Sequence, residues 1–467
     1  MHKLTTFSTT LFSSPSAPLA LALSALVLSA SPRVCIADTL FATAAPAAPI
    51  ASVTPTPVQE VAGEQEARDP APTTVSDANE WIGGKPWCDW NGMTGDWGGA
   101  RSKLVDNGVT FAGSAIGEWS NALQGGSGKD NTGRFLLDLN TTFDLNKIVN
   151  LAGGSVFLDF QYAATGNGFS VPEAFQPISN IDINGSITQV SQAWYQQWLV
   201  ADVLRLKVGK VDANAEFGFT PALAGFINLS AAVTPTNPLM PTYPNPAFGL
   251  NAFWYPSKEC YVGFGIYDGS LAEGVQTGAM GPSPLWEGNG VYMIGETGIT
   301  LDNLGSCCGF RAALGGWWST SQLTTFSGDE QDGAGGLYGV AEARVWRPEG
   351  VGEASTCRQG LWLAGQFGVT DSSVFAAANQ VGFGASLSGT FSGRDIDGAG
   401  VYVSWVDFAS GAALGDGSNE TMVECYYDYA VTPWFRLKPD VQFVFDPTGD
   451  GAADTSVIFT LRATVTF

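Results

Sequence analysis

The sequence predicts an all-β fold, a transmembrane antiparallel β-barrel of about 16 strands (16–18) that follows a short disordered N-terminal linker. Three observations predict this fold: a final segment that alternates apolar and polar residues without interruption, an N-terminal export signal, and an unusual composition. Of 467 residues, 58 are glycine, 12% are aromatic and 14% are charged. An average globular protein carries about 25% charged residues, so the composition favours a protein with extensive apolar surface.

The final segment, residues 456–467, has one apolar face and one face that is mostly hydroxyl and cationic. The apolar parity holds Val457, Phe459, Leu461, Ala463, Val465 and Phe467, and the other holds Ile458, Thr460, Arg462, Thr464 and Thr466. This two-residue period is typical of a strand between lipid and water, although a strand of a soluble sandwich could share it. The final aromatic, Phe467, resembles the C-terminal signal that the barrel-assembly machinery reads in bacterial outer-membrane barrels. The segment therefore favours a membrane barrel.

Residues 1–37 are predicted to be a signal peptide. Lys3 precedes an apolar stretch at residues 19–30, and the small-residue site at residues 35–37 would permit cleavage before Asp38. The stretch is shorter than the roughly 20 apolar residues of a helical span, whereas a closed barrel can enter a membrane by pairing its strands. Residues 38–90 are rich in Ala, Pro, Thr and Val and are predicted to be a periplasmic linker.

Residues 91–467 are predicted to be the barrel domain, which should begin near Trp90. Short alternating runs separated by Gly, Asn, Asp and Pro clusters occupy this region, with clear examples at residues 134–145, 156–162, 203–209 and 337–347. In each run, charged residues of either sign share one parity and apolar residues the other, as expected for a lumen inside and lipid outside. At roughly 10 residues per strand, with loops of similar length, the domain accommodates about 16–18 strands, enough to leave an aqueous channel.

Charge and histidine content exclude several functions. The net charge of -23 argues against nucleic acid as a partner, because nucleic acid selects a basic surface. The one histidine, His2, lies in the predicted signal peptide, so histidine-based catalysis and histidine-bound zinc are not expected in the mature chain. We find no catalytic cluster and predict neither an enzyme, nor a cofactor, nor a metal site.

Cysteines recur before new apolar runs at similar intervals. Cys260, the pair Cys307 and Cys308, and Cys357 each follow a polar turn, so they are predicted to lie at one rim of the barrel. An exported chain meets an oxidising compartment, and at least one disulfide among these four residues is therefore predicted. The alternative, small apolar residues at strand starts, stays open, because neighbouring turns need not bring the Cα atoms within about 7 Å.

Ordered motifs across residues 92–467 resemble the carbohydrate-selective porin family of Gram-negative outer membranes. The opening residues 94–99 with Arg101 resemble the N-terminal signature of that family. The resemblance continues through residues 179–181, 193–194, 208–214, 226–228, 241–244 and 338–348, and then through Glu424, Tyr427, Pro433, Trp434, Pro439, Asp440, Gln442, Pro447 and the terminal strand. The N-terminal linker, the extra cysteines and some loops depart from the family pattern.

The resemblance implies a water-filled, charge-lined passage for sugars. Carboxylates and guanidiniums make charge-assisted hydrogen bonds to hydroxyls, and aromatic rings suit the apolar face of a pyranose. The candidate pore residues, all on the inward parity, are Arg134, Asp138, Asp159, Arg205, Lys207, Glu342, Arg344, Glu424, Asp428 and Arg462. The alternative is that these charges mainly satisfy one another across strands. Asp96, Trp97 and Arg101 carry the family signature, or they seat the start of the chain inside the barrel.

One further segment, residues 235–246, has five prolines in twelve positions and therefore cannot be a central strand. It is predicted to be a loop, and such a loop could fold into the pore. We thus predict an outer-membrane porin for small carbohydrates such as glucose, in contact with outer-membrane lipid. A structural or adhesion barrel without specific transport is the alternative, and the sequence leaves the oligomeric state, a homotrimer included, open.

Overall fold

Sixteen strands in the described part of the chain form one closed antiparallel barrel, in which β1 pairs with β16. The computed structural model describes residues 86–467 apart from 126–130, 167–173, 201–202, 280–289, 305–306, 349–358, 413, 415–417 and 452. The strands are β1 Val109–Gln124, β2 Asn131–Asp144, β3 Gly154–Thr165, β4 Ser186–Val200, β5 Leu204–Val211, β6 Ala247–Trp254, β7 Cys260–Asp268, β8 Val291–Leu304, β9 Cys307–Thr324, β10 Glu330–Trp346, β11 Gly360–Thr370, β12 Ala377–Ser388, β13 Gly398–Phe408, β14 Asn419–Thr432, β15 Phe435–Phe445 and β16 Ser456–Thr466. The predicted fold class is confirmed.

The predicted parity is also observed. In β2, Phe135 and Leu139 point outward and are 40% and 42% exposed, whereas Arg134 and Asp138 point inward and are buried. The same alternation continues across the seam, where the first and last strands pair. There Glu118 of β1 lies opposite Arg462 of β16, and both side chains point inward. An apolar exterior and a largely polar interior result from one alternating sequence pattern.

The two ends of the barrel differ in the length of their connections. We call the end where β1 begins and β16 ends the terminal rim, and the other end the opposite rim. Short connections such as residues 145–153, 255–259 and 433–434 lie at the terminal rim, and the three longest, 212–246, 269–290 and 166–185, lie at the opposite rim. Cys260 begins β7 and Cys307 begins β9, so both lie at the terminal rim, as predicted.

Short helices flank the strands. They are α1 Ala100–Asp106, α2 Leu145–Val149 and α3 Leu229–Ala232, with 3-10 turns at Trp87–Asp89, Trp97–Gly99, Pro221–Leu223, Ser270–Glu273 and Pro447–Gly449. The first strand begins at Val109 rather than near Trp90, because residues 86–108 form turns and α1 at the terminal rim. Among the described residues, no helix is long and apolar enough to cross a membrane. The predicted signal peptide and most of the predicted linker lie outside the described residues.

Two connections at the opposite rim fold into the barrel. We call residues 174–185 the first inward loop and residues 212–246 the second inward loop. Leu223 and Phe226 of the second inward loop are 1% exposed and pack with inward Met422 and Val444 of the wall. Within the proline-rich run, Met240 is 4% exposed and packs with inward Trp317 and Tyr338 of the wall. The prediction that residues 235–246 form a loop is therefore confirmed, and the loop lies inside the barrel.

The predicted disulfide stays a prediction. Cys260 is a free thiol in the structure, as are Cys88 and Cys425. Cys357 and the side chains of Cys307 and Cys308 lie outside the described residues.

Candidate functional site

Carboxylates of the barrel wall hold the second inward loop across the lumen. They come from three strands that are separated along the wall: Glu296 of β8, Glu342 of β10 and Glu424 of β14. The loop donors are backbone N–H groups: Gly218 to Glu296 (2.7 Å), Ala222 to Glu342 (2.6 Å), and Ile227 and Asn228 to Glu424 (2.5 and 3.0 Å). Each bond joins a charged acceptor to a backbone donor, which makes it stronger than a neutral pair.

Cationic side chains of the wall bind carbonyl groups of the second inward loop. Arg311 donates to the carbonyl of Phe219 at 2.7 Å, and Lys438 donates to that of Gly225 at 2.8 Å. The second inward loop is therefore bonded through both its donors and its acceptors. Because a buried backbone group without a partner is costly, this pairing stabilises an irregular segment inside a barrel.

The first inward loop lies against the second. Backbone N–H groups of Asn180 and Leu229 donate to the carbonyls of Ile227 and Pro177 at 2.8 and 3.0 Å. On the wall, Glu420 accepts from the backbone N–H groups of Phe175, Gln176 and Thr448 at 2.7, 2.9 and 2.8 Å. The two loops thus form one body that is bonded to the wall and narrows the lumen.

Two candidate arginines meet at a glutamate beside the seam. Arg134 donates to Glu118 at 2.9 Å, and Arg462 donates to the other oxygen of Glu118 at 2.7 Å. Arg134 also bonds Asp182 of the first inward loop at 3.0 Å, and the Asp182 side chain is 33% exposed. This cluster joins β1, β2, β16 and the first inward loop.

Arg205 and Lys207 share one carboxylate of the second inward loop. Glu216 pairs with both cations, and all three side chains are buried. Burial disfavours the charged carboxyl, but Lys207 and Arg205 outweigh burial and hold the pKa of Glu216 below its usual range. The cations also lie over aromatic rings, Arg205 at 4.5 Å from Phe253 and Lys207 at 3.8 Å from Trp194.

The other candidates occupy separate places on the inner wall. Asp138 accepts hydrogen bonds from the side chains of Gln161 at 2.8 Å and Asn140 at 3.2 Å. Asp159, which lies on β3, is paired with Asn140 of β2. Closer to the terminal rim, Asp428 pairs with Arg436 at 2.6 Å. Arg344, also near the terminal rim, donates to the carbonyl of Gln359 at 3.4 Å.

All ten candidates are inward and at most 7% exposed. Those with described partners bind the inward loops or other wall residues, which agrees with the alternative that lumen charges mainly satisfy one another. Whether any of them contacts a solute stays a prediction. The arrangement surrounds the inward loops with charge-assisted donors and acceptors, and such groups suit a neutral solute that is rich in hydroxyls.

The signature residues Asp96, Trp97 and Arg101 lie at the terminal rim, at the seam. Arg101 donates to the main-chain oxygens of Phe111 and Phe467 at 2.7 and 3.0 Å, so it bridges β1 and the residue that follows β16. Its guanidinium lies 5.5 Å from the Trp97 ring centroid. Asp96 accepts from the backbone N–H and the hydroxyl of Ser102, both at 2.7 Å. These residues therefore fasten the seam, and we call residues 87–106 the seam latch.

Three functional carboxylates were missed from the sequence: Glu118, Glu216 and Glu296. Glu118 lies between Gly117 and Trp119, where small residues weaken the alternation of β1. Glu216 lies on a loop, where strand parity gives no information. Glu296 shares its inward face with Tyr292 and Ile294, which are 1% exposed, so that face does not look polar in the sequence.

A family model described as "Carbohydrate-selective porin, OprB family" matches residues 131–467 of this chain. Porin B of Pseudomonas aeruginosa is 23% identical over 439 residues, which cover 80% of this chain and 91% of that protein. The putative porin QuiX of Acinetobacter baylyi is 23% identical over 429 residues, covering 83% of this chain and 94% of that protein. Both relatives are named as porins, one of them as a putative porin, which favours a channel over an enzyme.

The fold is likewise similar to that of a solved protein. The high-pH structure of Pseudomonas putida OprB superposes with a TM-score of 0.72 at 20% identity, covering 81% of this chain and 99% of that one. The low-pH structure of the same protein gives a TM-score of 0.54 at 19% identity. At these identities the likeness concerns the fold alone.

Proposed function

Because the chain belongs to the OprB family of carbohydrate-selective porins, we propose that it forms a water-filled, charge-lined channel for monosaccharides and oligosaccharides such as glucose. A sugar carries no charge to steer it, so selection against salt depends on a narrow passage that exchanges the hydrogen bonds of water for its own. The solute must also leave quickly, so each contact has to be weak. A wall of fixed donors and acceptors meets both requirements.

The observation that carries this proposal is the attachment of the second inward loop to Glu296, Glu342 and Glu424. When the loop is held at several points across the lumen, the passage beside it keeps a fixed width. A size-limited channel requires such a fixed width. The same bonds leave few lumen charges without a local partner, which limits the attraction of the passage for free ions. Both features favour a neutral polyhydroxyl solute over a salt.

The outer surface supports a place in the Gram-negative outer membrane. Large apolar side chains such as Leu314, Phe383 and Leu337 point outward and are 60%, 54% and 61% exposed, as expected for a surface that contacts lipid. In this setting Phe467 would be the residue that the barrel-assembly machinery recognises. Its backbone N–H donates to the carbonyl of Gly113 at 2.9 Å, so it also takes part in closing the seam.

The proposal is tested by liposome swelling with the purified barrel. Glucose should enter at a rate that falls steeply for larger sugars, and a zwitterion of matched size should enter more slowly. Liposomes without protein and liposomes with heat-denatured protein are the controls. Equal entry of glucose and the zwitterion would contradict sugar selectivity, and entry of neither would favour a structural or adhesion barrel.

A further inference from the structure

Three aromatic side chains form an arc on the inner wall beside the terminal rim. Trp198 near the end of β4, Tyr255 just after β6, and Tyr261 in β7 have adjacent ring centroids 5.5 and 6.3 Å apart. We call these three residues the aromatic arc. Each is half-buried, whereas the inward tyrosines beneath the second inward loop, such as Tyr267 and Tyr292, are at most 1% exposed. The arc therefore lies at the edge of the part of the wall that the second inward loop covers.

Neighbouring residues of the inner wall hold the rings of the arc in place. Phe253 contacts both tyrosines, with ring centroids 6.3 Å from Tyr255 and 6.1 Å from Tyr261. Behind Tyr261 the neighbouring strand has Gly298, where an added Cβ would lie 2.5 Å from the ring. Because Gly298 has no Cβ, the Tyr261 ring can lie close against the neighbouring strand.

Polar groups border the arc on its inner side. The Tyr261 hydroxyl donates to Glu296 at 2.5 Å and accepts from Arg311 at 2.9 Å. The Arg311 side chain is 19% exposed. Arg205, which lies over the Phe253 ring, completes a border of fixed donors.

We propose that the aromatic arc is a carbohydrate-binding subsite on the terminal-rim side of the narrowed lumen, where pyranose rings stack on Trp198 and Tyr255. A pyranose has an apolar face of C–H groups and an edge of hydroxyls, which match aromatic faces bordered by charged donors and acceptors. A small ion or a zwitterion has no such face. This inference rests on the proposed function, because it names the class of solute and the place where the solute pauses.

Single-channel recording with glucose tests the arc. Replacing Trp198 or Tyr255 with leucine keeps an apolar side chain but removes the ring face. In Trp198→Leu and Tyr255→Leu, the glucose concentration that half-blocks the ion current should rise by about two- to tenfold. Trp254→Leu is the matched control, because Trp254 precedes Tyr255 but points outward and is 52% exposed. The control should be blocked by glucose as wild type is.

The outcomes separate the arc from the proposed function. If both arc variants fold, as judged by heat-modifiable migration, and are blocked by glucose as the control is, the arc is not a subsite. That result leaves the porin assignment intact, provided that wild type passes glucose in the swelling assay. If wild type passes no sugar, the proposed function fails and the arc fails with it. If one variant does not fold, the other decides by the same criterion.

Discussion

At the scale of single residues, the charges inside the barrel act mainly on protein groups. Strand parity correctly places Arg205 and Lys207 on the inward face, but parity cannot reveal that both bind Glu216, which lies on a loop. A buried charge is stable only with a partner, so each inward cation requires a nearby acceptor. The sequence therefore predicts which face a charge occupies and leaves its partner unknown.

Replacing Glu216 with glutamine should shift the ion preference of the channel toward anions. The substitution removes the one carboxylate between two buried cations and leaves Arg205 and Lys207 with excess positive charge. Reversal potentials in a salt gradient measure this preference. The control is Glu273→Gln, which removes the same charge from an exposed position in a connection at the opposite rim. An equal shift in both variants would contradict a specific role for Glu216.

The inward faces around Glu296 and Ile458 do not look polar in the sequence, and the physical reason is the same for both. Glu296 lies on a strand whose inward face also holds Tyr292 and Ile294, because the second inward loop covers that part of the wall with apolar residues. Ile458 is a similar case, since it is inward and fully buried although the outward parity of its strand is the apolar one. The rule of a polar interior holds where the lumen is open and fails where a loop packs against the wall.

At the scale of elements, strands were easier to predict than the contacts between loops and wall. The run predicted at residues 134–145 matches β2, Asn131–Asp144. Successive side chains of a strand point to opposite faces, so neighbouring residues show in the sequence which face is polar and which is apolar. The bond between Ile227 and Glu424 joins residues 197 positions apart, and no local pattern encodes it. The prolines of residues 235–246 predict a loop because they exclude a central strand, but they do not determine that the loop lies inside the barrel.

Replacing Glu424 with glutamine should loosen the second inward loop. A neutral amide offers one acceptor oxygen where the carboxylate accepts from both Ile227 and Asn228, so one backbone donor loses its partner. We expect a loss of about 1.5–3 kcal/mol of stability, the usual range for a hydrogen bond to a charged group. Thermal unfolding in detergent measures the loss, and larger and noisier single-channel currents should accompany it.

The control for this variant is Glu330→Gln, since Glu330 is an exposed carboxylate on β10 and accepts from the hydroxyl of Thr324 at 3.1 Å. It should leave both thermal unfolding and current noise close to wild type. Wild-type noise and stability in Glu424→Gln would show that the loop does not depend on this carboxylate.

Replacing Arg101 with alanine should weaken the seam, because the guanidinium bridges the main-chain oxygens of Phe111 and Phe467. The expected loss is about 2 kcal/mol, and it should appear as a lower temperature of heat modification on electrophoresis. Lys103→Ala is the matched control, since Lys103 lies on the same helix with an exposed side chain. If the two variants unfolded at the same temperature, the seam latch would contribute nothing to barrel closure.

At the scale of the whole molecule, the apolar outer surface suits contact with lipid and the polar inner surface suits contact with water. Phe383, near the middle of β12, points outward and is 54% exposed. If lipid surrounds the barrel, Phe383→Arg should cost about 2–4 kcal/mol, because a cation at the bilayer midplane is expensive. Leu199→Arg, outward near the terminal rim, should cost about 0–1 kcal/mol. Folding into lipid vesicles under urea measures both, and equal costs would contradict a membrane that spans the barrel.

If the chain is a sugar channel, sugar passes through the lumen beside the two inward loops. A crystal structure of the barrel soaked with glucose tests it most directly. We expect sugar density inside the lumen, beside the second inward loop, with that loop still bound to Glu296, Glu342 and Glu424. Passage through the lumen would be excluded if glucose blocked the ion current while its density lay only outside the barrel, or if the loops sealed the lumen in the presence of glucose.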